Sequence, residues 1–300
     1  MRPLTVAISG STGLIGSALV ERLTAAGHQV RRLVRPSGVT APGDIGWDPD
    51  TDRLAPEDLA GTDTVVHLAG EPIAQRWTEA RKRAIRDSRV RSTALLARTL
   101  ARMTVPPAVF LSGSAVGLYG DRNAELLDEE SAAGEDFLAR VCTDWEAATA
   151  PAVSAGIRTV LLRTGIVLSP KGGALQKLLV PFRLGVGGPI GTGAQWMSWI
   201  ALDDHVAAIG HAIQDATIRG PLNLVSPNPV TNDEFARTLG SVLERPALIP
   251  VPAFALRLVY GEMADATLLA GQRALPKALA ASGFHFAHAT LGDALRSALA

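Results

Sequence analysis

Three glycines, spaced three residues apart, stand near the N-terminus between a strand pattern and a helix pattern. The segment LTVAIS at 4–9 is short and apolar, GSTGLIG follows it at 10–16, and apolar residues then recur at helical spacing as far as Gly27. Glycine lacks a Cβ atom, so it permits a tight turn and lets a pyrophosphate approach the backbone, while the helix N-terminus offers unpaired N–H groups. A strand before the motif and a helix after it are the context that a dinucleotide-binding loop requires.

The glycine motif therefore predicts a dinucleotide-binding site between the first strand and the first helix. The residues expected to bind the cofactor are Gly10, Ser11, Thr12, Gly13, Leu14, Ile15 and Gly16. The alternative is a turn of the same shape that serves the fold alone.

Strand and helix patterns alternate through the first half of the chain. Further strands are predicted at 28–35, 63–70, 107–114 and 157–168, and helices at 77–103 and 137–156. Repeated β-α-β units imply a parallel sheet that helices cover on both faces. The sequence thus predicts the α/β class, with a Rossmann-like, doubly wound parallel sheet.

After residue 168 the chain becomes rich in glycine, proline and serine loops, and the remaining patterns are mostly helical. A helix is predicted at 203–216, with Asp203 or Asp204 as its N-cap rather than as a metal ligand. We expect no metal site. The predicted domains are an NADP-binding Rossmann domain formed by 1–168, with 201–226 returning to it, and a smaller, mostly helical substrate domain formed by 169–200 and 227–300.

The end of the second strand decides which dinucleotide is expected. An NAD site usually has Asp or Glu there, which accepts a hydrogen bond from the ribose 2′-hydroxyl. Here the segment reads RRLVRPSG, and the next acid is Asp44. Arg35 ends the strand, and its fork of N–H donors suits a 2′-phosphate, so NADP(H) is the predicted cofactor. Arg31 is a second candidate, but strand alternation places Arg31, Leu33 and Arg35 on one face, which leaves one arginine for solvent.

Two further segments are expected near the cofactor. Asp48, in GWDPD, is placed to reach the adenine amine, although an aspartate before Pro49 equally favours a turn. The segment HLAG would run Leu68, Ala69 and Gly70 past the cofactor ribose, with His67 as a packed strand residue.

Composition excludes several classes of partner. The formal net charge is zero, so nothing indicates a nucleic acid or an anionic membrane, and the basic run at 81–91 is interpreted as a solvated helix face. The single cysteine, Cys142, excludes an internal disulfide. No apolar run approaches the roughly 20 residues that span a bilayer, and no signal segment is recognised. A cytoplasmic protein with a small-molecule substrate, monomeric or homodimeric, is predicted.

Three stretches taken together, GSTGLIG at 10–16, HLAG at 67–70 and SGSAVGLYG at 112–120, resemble the extended short-chain dehydrogenase/reductase superfamily. The match is closer to an atypical, epimerase-like branch, whose members are described as nucleoside-diphosphate-sugar epimerase-like and carry a C-terminal region of their own. Further stretches that resemble this branch are 69–89, 137–146, 162–175, 187–204 and 261–279. Together they cover nearly the whole chain.

The resemblance implies a Rossmann-like fold with NADP(H), and it implies roles for several residues. Ser114 takes the position of the superfamily's catalytic serine. The segment after the sixth strand, with Arg163, Gly165, Ile166 and Val167, would pass near the nicotinamide. The resemblance implies no particular substrate.

The usual Tyr-x-x-x-Lys acid of this superfamily is missing. The chain has two tyrosines, Tyr119 and Tyr260, and the residues four positions later are Asn123 and Ala264. On the helix where extended members carry a second such motif, the resemblance places Leu138 at the tyrosine and Cys142 at the lysine. Leucine gives no proton, and a thiol is a poor substitute for an ammonium that lowers the pKa of a phenol.

Three residues are candidates for the missing chemistry. Ser114 is placed to polarise a carbonyl group, or else to line the loop. Tyr119 is a candidate proton donor, or else a wall of the site. Glu71, directly after HLAG, is a candidate acid with a pKa raised by desolvation, or else an ion-pair partner of Arg76 or Arg81.

Trp196 and Trp199 are expected to form an apolar substrate wall, with core packing as the alternative. The whole pattern predicts NADP(H)-dependent hydride transfer to or from a small polar carbonyl, alcohol or sugar-nucleotide-like substrate. The alternative is a catalytically silent NADP(H)-binding sensor or assembly protein. True epimerisation needs a base and is disfavoured by the missing dyad.

Overall fold

The computed structural model describes residues 2–39 and 41–300. The strands are β1 (Thr5–Ser9), β2 (Gln29–Val34), β3 (Ile45–Gly46), β4 (Thr64–His67), β5 (Val109–Ala115), β6 (Leu126–Leu127), β7 (Arg158–Thr164), β8 (Ile166–Leu168), β9 (Trp196–Met197), β10 (Trp199–Ala201), β11 (Gly220–Leu224), β12 (Val230–Thr231) and β13 (Arg273–Ala274). The helices are α1 (Leu14–Ala25), α2 (Glu79–Ala101), α3 (Phe137–Ala147), α4 (Ala150–Ser154), α5 (Gly173–Arg183), α6 (Leu202–Gln214), α7 (Asn232–Val242), α8 (Ala253–Tyr260), α9 (Lys277–Ala281) and α10 (Leu291–Leu299).

Seven strands form one sheet in the order β11-β7-β5-β4-β1-β2-β3, and every pairing within it is parallel. The chain leaves the centre at β1, runs outward to β3, and returns to β4 on the other side of β1. This is the Rossmann winding, in which the direction reverses between β1 and β4 and a crevice opens at the carboxyl ends of those strands. The predicted fold class is confirmed.

Alternation along the strands divides the core into two layers. In β1, Val6 and Ile8 belong to a cluster that includes Leu19 of α1 and also residues of α6, whereas Ala7 belongs to a cluster that includes Leu96 of α2. Because successive side chains of a strand point to opposite faces, one central strand anchors helices on both sides of the sheet.

The remaining strands form three two-stranded pairs outside the main sheet. β8 pairs with β10 in parallel, β12 pairs with β9 antiparallel, and β13 pairs with β6 in parallel. A separate apolar cluster, which includes Trp199, Phe235 and Leu295, packs the later helices together. The C-terminal region is mostly helical, as predicted, while the proposed domain boundaries stay a prediction.

Helix α6 begins differently from the predicted helix at 203–216. Its N-cap is Ala201, and Asp203 and Asp204 lie in its first turn. The prediction of an aspartate N-cap is therefore wrong. The carboxylate of Asp204 is buried and instead accepts hydrogen bonds from the N–H groups of Ala287 (2.8 Å) and His288 (2.9 Å), so it ties the C-terminal segment to α6.

The predicted strand at 157–168 is interrupted. β7 and β8 are separated at Gly165, where an added Cβ would lie 2.4 Å from the carbonyl oxygen of Ser198. The neighbouring N–H group of Ile166 donates to the same oxygen over 2.7 Å. The chain therefore leaves the main sheet here to pair with β10.

Within the described ranges, no helix combines the length and the apolar character that a membrane span needs. The cytoplasmic location stays a prediction.

Arg158, at the start of β7, binds the end of α6. Its guanidinium donates to the carbonyl oxygens of four residues in and after the last turn of the helix, over 2.9 to 3.1 Å: Ala212, Ile213, Asp215 and Ile218. The last carbonyls of a helix have no partner within the helix, so one side chain satisfies several otherwise open acceptors.

We expect Arg158→Leu to lower the free energy of unfolding by about 2–3 kcal/mol, because these carbonyl groups lose a charged donor. The measurement is urea unfolding followed by circular dichroism. The control is Arg296→Leu on α10, whose side chain is 65% exposed and pairs with Asp293, and we expect it to cost less than about 1 kcal/mol. Equal losses in the two variants would contradict the role given to Arg158.

Candidate dinucleotide-binding site

The loop between β1 and α1 has the geometry of an anion-binding turn. Gly10 has φ +69°, and an added Cβ there would lie 2.7 Å from the carbonyl carbon of Leu68. At Gly16 an added Cβ would lie 2.1 Å from the carbonyl oxygen of Gly10. The first glycine is thus required by the backbone and by β4, and the third by the approach of α1 to the loop.

The N-terminus of α1 is open to a negatively charged group. Gly13 is its N-cap, no side chain within the described part of the chain caps the helix, and the first turn holds no acid. The first N–H groups of a helix lack partners within the helix, and the helix dipole favours an anion beside them. These residues fit a pyrophosphate.

A buried hydrogen-bond relay fixes the end of β4 beside this loop. Ser9 Oγ lies 2.5 Å from His67 Nδ1, and His67 Nε2 lies 3.0 Å from Ser92 Oγ. The hydroxyl of Ser92 donates to the carbonyl oxygen of Ser88, so it accepts from Nε2–H, and Nδ1 accepts from Ser9. The N–H group of Leu68 in turn donates to Ser9 Oγ over 3.2 Å. His67 is a packed strand residue, as predicted, and burial lowers its pKa to about 3.

A cavity of about 780 Å³ opens beside the glycine loop. Its walls are the loop, the end of β2, the segment after β3, the end of the HLAG segment and one face of α2. The lining includes Gly10, Ser11, Thr12, Arg32, Arg35, Asp50, Ala69, Gly70, Glu71, Ala84, Asp87, Ser88 and Arg91. This volume is in the range of ligand sites, and the cavity lies at the point where a Rossmann sheet reverses its winding.

The end of β2 presents arginines to this cavity. Arg35 lines it and pairs with Asp48 and with Asp50, the latter over 3.0 Å. Arg31 is directed elsewhere, because its guanidinium donates to the carbonyl oxygens of Asp58 (2.9 Å) and Ala60 (3.1 Å). Of the two candidate arginines, Arg31 and Arg35, Arg35 is the one at the cavity.

Asp48 forms a turn, which is the alternative to the contact with adenine. Its carboxylate accepts from the N–H group of Asp50 (3.1 Å) and from the hydroxyl of Thr51 (3.0 Å), and Asp48 and Arg53 form a bridge between their backbones. The N–H group of Asp50 is the largest cause that holds the pKa of Asp48 below its usual value.

Arg32 and Arg91 also line the cavity, although neither is among the site residues predicted from the sequence. Arg32 binds Asp44 through Nε (2.8 Å) and through a terminal nitrogen (2.6 Å). Arg91, in the basic run that was interpreted as a solvated face, donates to the carbonyl oxygen of Asp50 over 3.0 Å from across the cavity. The helical spacing of the lining residues of α2 was the available signal: Ala84, Asp87, Ser88 and Arg91 follow the i, i+3, i+4, i+7 pattern of one face.

The hydroxyl groups of Ser114 and Tyr119 are both engaged in a buried polar network. Ser114 donates to Glu146 over 2.6 Å, and Glu146 is held by Arg163 through two hydrogen bonds of 2.8 and 2.9 Å. Tyr119 is fully buried, donates to Asn223 over 2.8 Å and accepts from Arg163 over 3.1 Å. Burial raises the pKa of Tyr119. Neither hydroxyl lines the cavity.

The segment expected near the nicotinamide makes packing contacts and joins the buried network. Arg163 belongs to the buried network, Gly165 and Ile166 contact the backbone of Ser198, and Val167 is buried within β8. These four residues lie outside the lining of this cavity, and the cofactor contact that the resemblance implied for them stays a prediction.

Glu71 is the predicted catalytic residue that does line the cavity. Its side chain is 38% exposed and pairs with Arg81 over 2.6 Å, which is one of the two partners that the sequence analysis considered. The other, Arg76, donates to the carbonyl oxygen of Leu258 instead.

The two tryptophans of the expected substrate wall differ. Trp199 is fully buried and its Nε1 donates to the carbonyl oxygen of Asn228, so it is a core residue and not a wall. Trp196 is half-buried, and the guanidinium carbon of Arg273 lies 3.9 Å from the centre of its ring.

The strand order and the glycine loop after β1 define the class of protein: a nucleotide-binding Rossmann protein. Residues 6–224 match the NAD dependent epimerase/dehydratase family, and residues 251–298 match a domain of unknown function, DUF1731. This chain therefore belongs to the NAD dependent epimerase/dehydratase family, which confirms the resemblance found in the sequence.

Similar proteins extend over the whole chain. Epimerase family protein Mb2239 of Mycobacterium bovis is 46% identical over 296 residues, which are 98% of this chain and 97% of that protein. A crystal structure of human epimerase family protein SDR39U1 with NADPH matches with a TM-score of 0.91 and 36% identity, covering 98% of both chains. The nucleoside-diphosphate sugar epimerase of Corynebacterium glutamicum matches with a TM-score of 0.82 and 43% identity, over 99% of this chain and 58% of that one.

The neutral state of His67 predicts a pH dependence of stability. The pKa of His67 is about 3 in the folded protein, whereas an unfolded histidine has a pKa of about 6.5. Below pH 6.5 the unfolded chain therefore binds a proton that the folded chain does not, and stability falls as the pH falls. Each such histidine contributes a slope of about 1.4 kcal/mol per pH unit between these two values.

We expect His67→Gln to reduce this slope by about 1.4 kcal/mol per pH unit, as measured by urea unfolding between pH 6 and pH 4. His205, buried with a pKa of about 3, supplies a second contribution that the variant retains. The control is Gln214→Ala, at the exposed last residue of α6, which removes no titratable group and is expected to keep the wild-type slope. An unchanged slope in His67→Gln would show that the folded protein takes up the proton.

Proposed function

We propose that this protein binds NADP(H) in the crevice between β1, β2 and α2. The observation that carries the proposal is the pairing of two features at one cavity: an uncapped helix N-terminus on a glycine loop, and arginines where an NAD site would carry an acid. The human relative crystallised with NADPH supports the same cofactor.

Different residues would bind the two anionic groups of the cofactor, its pyrophosphate and its 2′-phosphate. The backbone of residues 10–16 receives the pyrophosphate at the N-terminus of α1. Arg35 receives the 2′-phosphate, after exchanging Asp48 and Asp50 for it, and Arg32 adds charge at the same strand end. Arg91 approaches from α2 on the opposite wall. The backbone of 68–70 borders the ribose.

We further propose hydride transfer to or from a small polar carbonyl, alcohol or sugar-nucleotide-like substrate as the activity. The cofactor, when bound, supplies the hydride at its nicotinamide ring. The proton that accompanies this hydride needs a side chain with access to the site. Among the three predicted candidates, Glu71 has that access, because it lines the cavity and is partly exposed, whereas Ser114 and Tyr119 are engaged in the buried network.

A second candidate function is a catalytically silent NADP(H)-binding sensor or assembly protein. The observation that favours it is that none of the residues at the usual proton-donor positions is free to give a proton. Leu138 and Cys142 replace the usual dyad, and burial raises the pKa of the Cys142 thiol to about 12, so the thiol stays neutral at pH 7. The hydroxyl protons of Ser114 and Tyr119 are also directed to Glu146 and Asn223.

Arg35→Glu tests the cofactor preference. We expect it to weaken NADPH binding by about 100-fold and to leave NADH binding within about twofold, because NADH lacks the phosphate that the guanidinium receives. Isothermal titration calorimetry measures both affinities. The matched control is Arg31→Gln on the same strand, which faces away from the cavity and is expected to leave both affinities unchanged. Equal NADPH affinities of Arg35→Glu and the wild type would contradict the proposal.

A panel of small carbonyls, alcohols and sugar nucleotides, assayed by NADPH absorbance, separates the two candidate functions. Turnover of one compound supports the oxidoreductase, and we then expect Glu71→Gln to lower kcat by about 100-fold, a common contribution of a general acid. Ser114→Ala and Tyr119→Phe are expected to have smaller effects. The control is Glu79→Gln on the exposed surface of α2.

Tight NADPH binding without turnover across the panel would favour the silent protein. Full activity of Glu71→Gln on a discovered substrate would remove Glu71 from the mechanism.

A further inference from the structure

Arg89 lies behind the end of β4, on the face of α2 turned toward α3. One terminal nitrogen of its guanidinium donates to the carbonyl oxygens of Glu71 and Ile85, each over 3.0 Å. The guanidinium carbon lies 5.2 Å from the centre of the Trp145 ring. An added Cβ on Gly70 would lie 3.2 Å from that carbon. The cation is thus held directly beneath the backbone that follows β4.

The guanidinium has donors in reserve. Arginine carries five N–H donors. Among the residues that the structure describes, Nε and the second terminal nitrogen of Arg89 make no hydrogen bond to the protein, and the side chain forms no ion pair. Glu71, whose carbonyl group binds Arg89, directs its carboxylate to Arg81 instead.

The charge of Arg89 stands close to the position of the missing lysine. The resemblance places Cys142 at that position on α3, and the positive charge of Arg89 opposes the effect of burial on the pKa of its thiol. A thiol carries no positive charge in either protonation state, and burial, which raises its pKa to about 12, keeps Cys142 neutral. Helix α2 therefore supplies a positive charge near the position on α3 where extended members of the superfamily carry a lysine.

The strand order places Arg89 at the nicotinamide half of the site. Along the sheet, β2, β1, β4 and β5 follow one another. A dinucleotide whose 2′-phosphate binds at the end of β2 and whose pyrophosphate binds at the end of β1 extends its other half past β4 toward β5. Arg89 lies there, between Gly70 after β4 and Trp145, whose ring would lie 2.7 Å from a Cβ on Gly113 of β5.

We propose that Arg89 binds the hydroxyl groups of the nicotinamide ribose and supplies there a positive charge that Cys142 does not. This inference rests on the proposed function, since it requires NADP(H) in the crevice. Arg89 then has two tasks: one terminal nitrogen fixes the backbone of Glu71, and the remaining donors orient the ribose. Because its fork of donors is planar and rigid, it orients the ribose without a neighbouring tyrosine.

The test compares NADPH with adenosine 2′,5′-bisphosphate, which contains the adenosine and its 2′-phosphate but lacks the nicotinamide half. We expect Arg89→Gln to weaken NADPH binding by about 10- to 100-fold, the range for loss of hydrogen bonds to a charged group, and to change the affinity for the bisphosphate by less than about twofold. Glutamine keeps a donor for the carbonyl group of Glu71, so the loop retains its support. Arg89→Lys is expected to recover most of the NADPH affinity.

Isothermal titration calorimetry gives both affinities, and thermal unfolding verifies that each variant is folded. Arg86→Gln is the matched control, because it lies on the same helix, is exposed and pairs with Asp144. Arg89→Met takes the place of Arg89→Gln if the latter does not fold.

An equal loss of affinity for both ligands would overturn the proposal, since it would show that Arg89 acts only by supporting the loop. Unchanged NADPH affinity in Arg89→Gln would overturn it as well. A wild-type protein that binds neither ligand would instead refute the proposed function, and with it the role of Arg89, whereas Arg35→Glu is expected to lose affinity for both ligands.

Discussion

The close contact of the glycine loop with the end of β4 is the constraint on which the rest of the site depends. Gly10 lies against the backbone of Leu68, and Gly16 lies against the carbonyl group of Gly10 at a distance that excludes any Cβ. These contacts bring the N-terminus of α1 and the ends of two central strands to one point. The relay from Ser9 to His67 then fixes that point from below, without a charge, because burial keeps the imidazole neutral.

The charged residues around that point lie in two groups. One group lines the cavity and is placed for cofactor binding, and the other is a buried network that contains two of the three candidate proton donors. Cations line the cavity from β2 and α2, and in the described structure they are paired with acids that a phosphate can replace. The residues that resemble a catalytic group are bound to one another instead: Ser114 to Glu146, Glu146 to Arg163, and Arg163 to Tyr119. A buried ion pair with its hydrogen bonds satisfied resists opening, since removal of one partner leaves an unpaired charge. The arrangement of charges thus favours dinucleotide binding.

Local patterns in the sequence predicted what depends on local geometry. The glycine spacing, the strand and helix alternation and the absence of an acid at the end of β2 each follow from a few consecutive residues. The roles that failed to gain support depend on distant partners: Tyr119 binds Asn223 across 104 residues of sequence, and Asp204 binds Ala287 across 83. The sequence around Trp199 is the same whether its side chain lines a pocket or packs in the core, so the sequence alone does not distinguish the two. Arg89 carried no motif, because its role follows from the packing of α2 against α3.

The most direct test of the account is amide hydrogen exchange, followed by mass spectrometry, with and without NADPH. We expect the cofactor to slow exchange in the peptides that contain residues 10–17 and 68–71, because the ligand covers the N–H groups at the start of α1 and the backbone after β4. Peptides of α10, remote from the cavity, are expected to exchange at the same rate in both samples. Saturating NADPH that leaves residues 10–17 unprotected would contradict the claim that this helix terminus holds the cofactor.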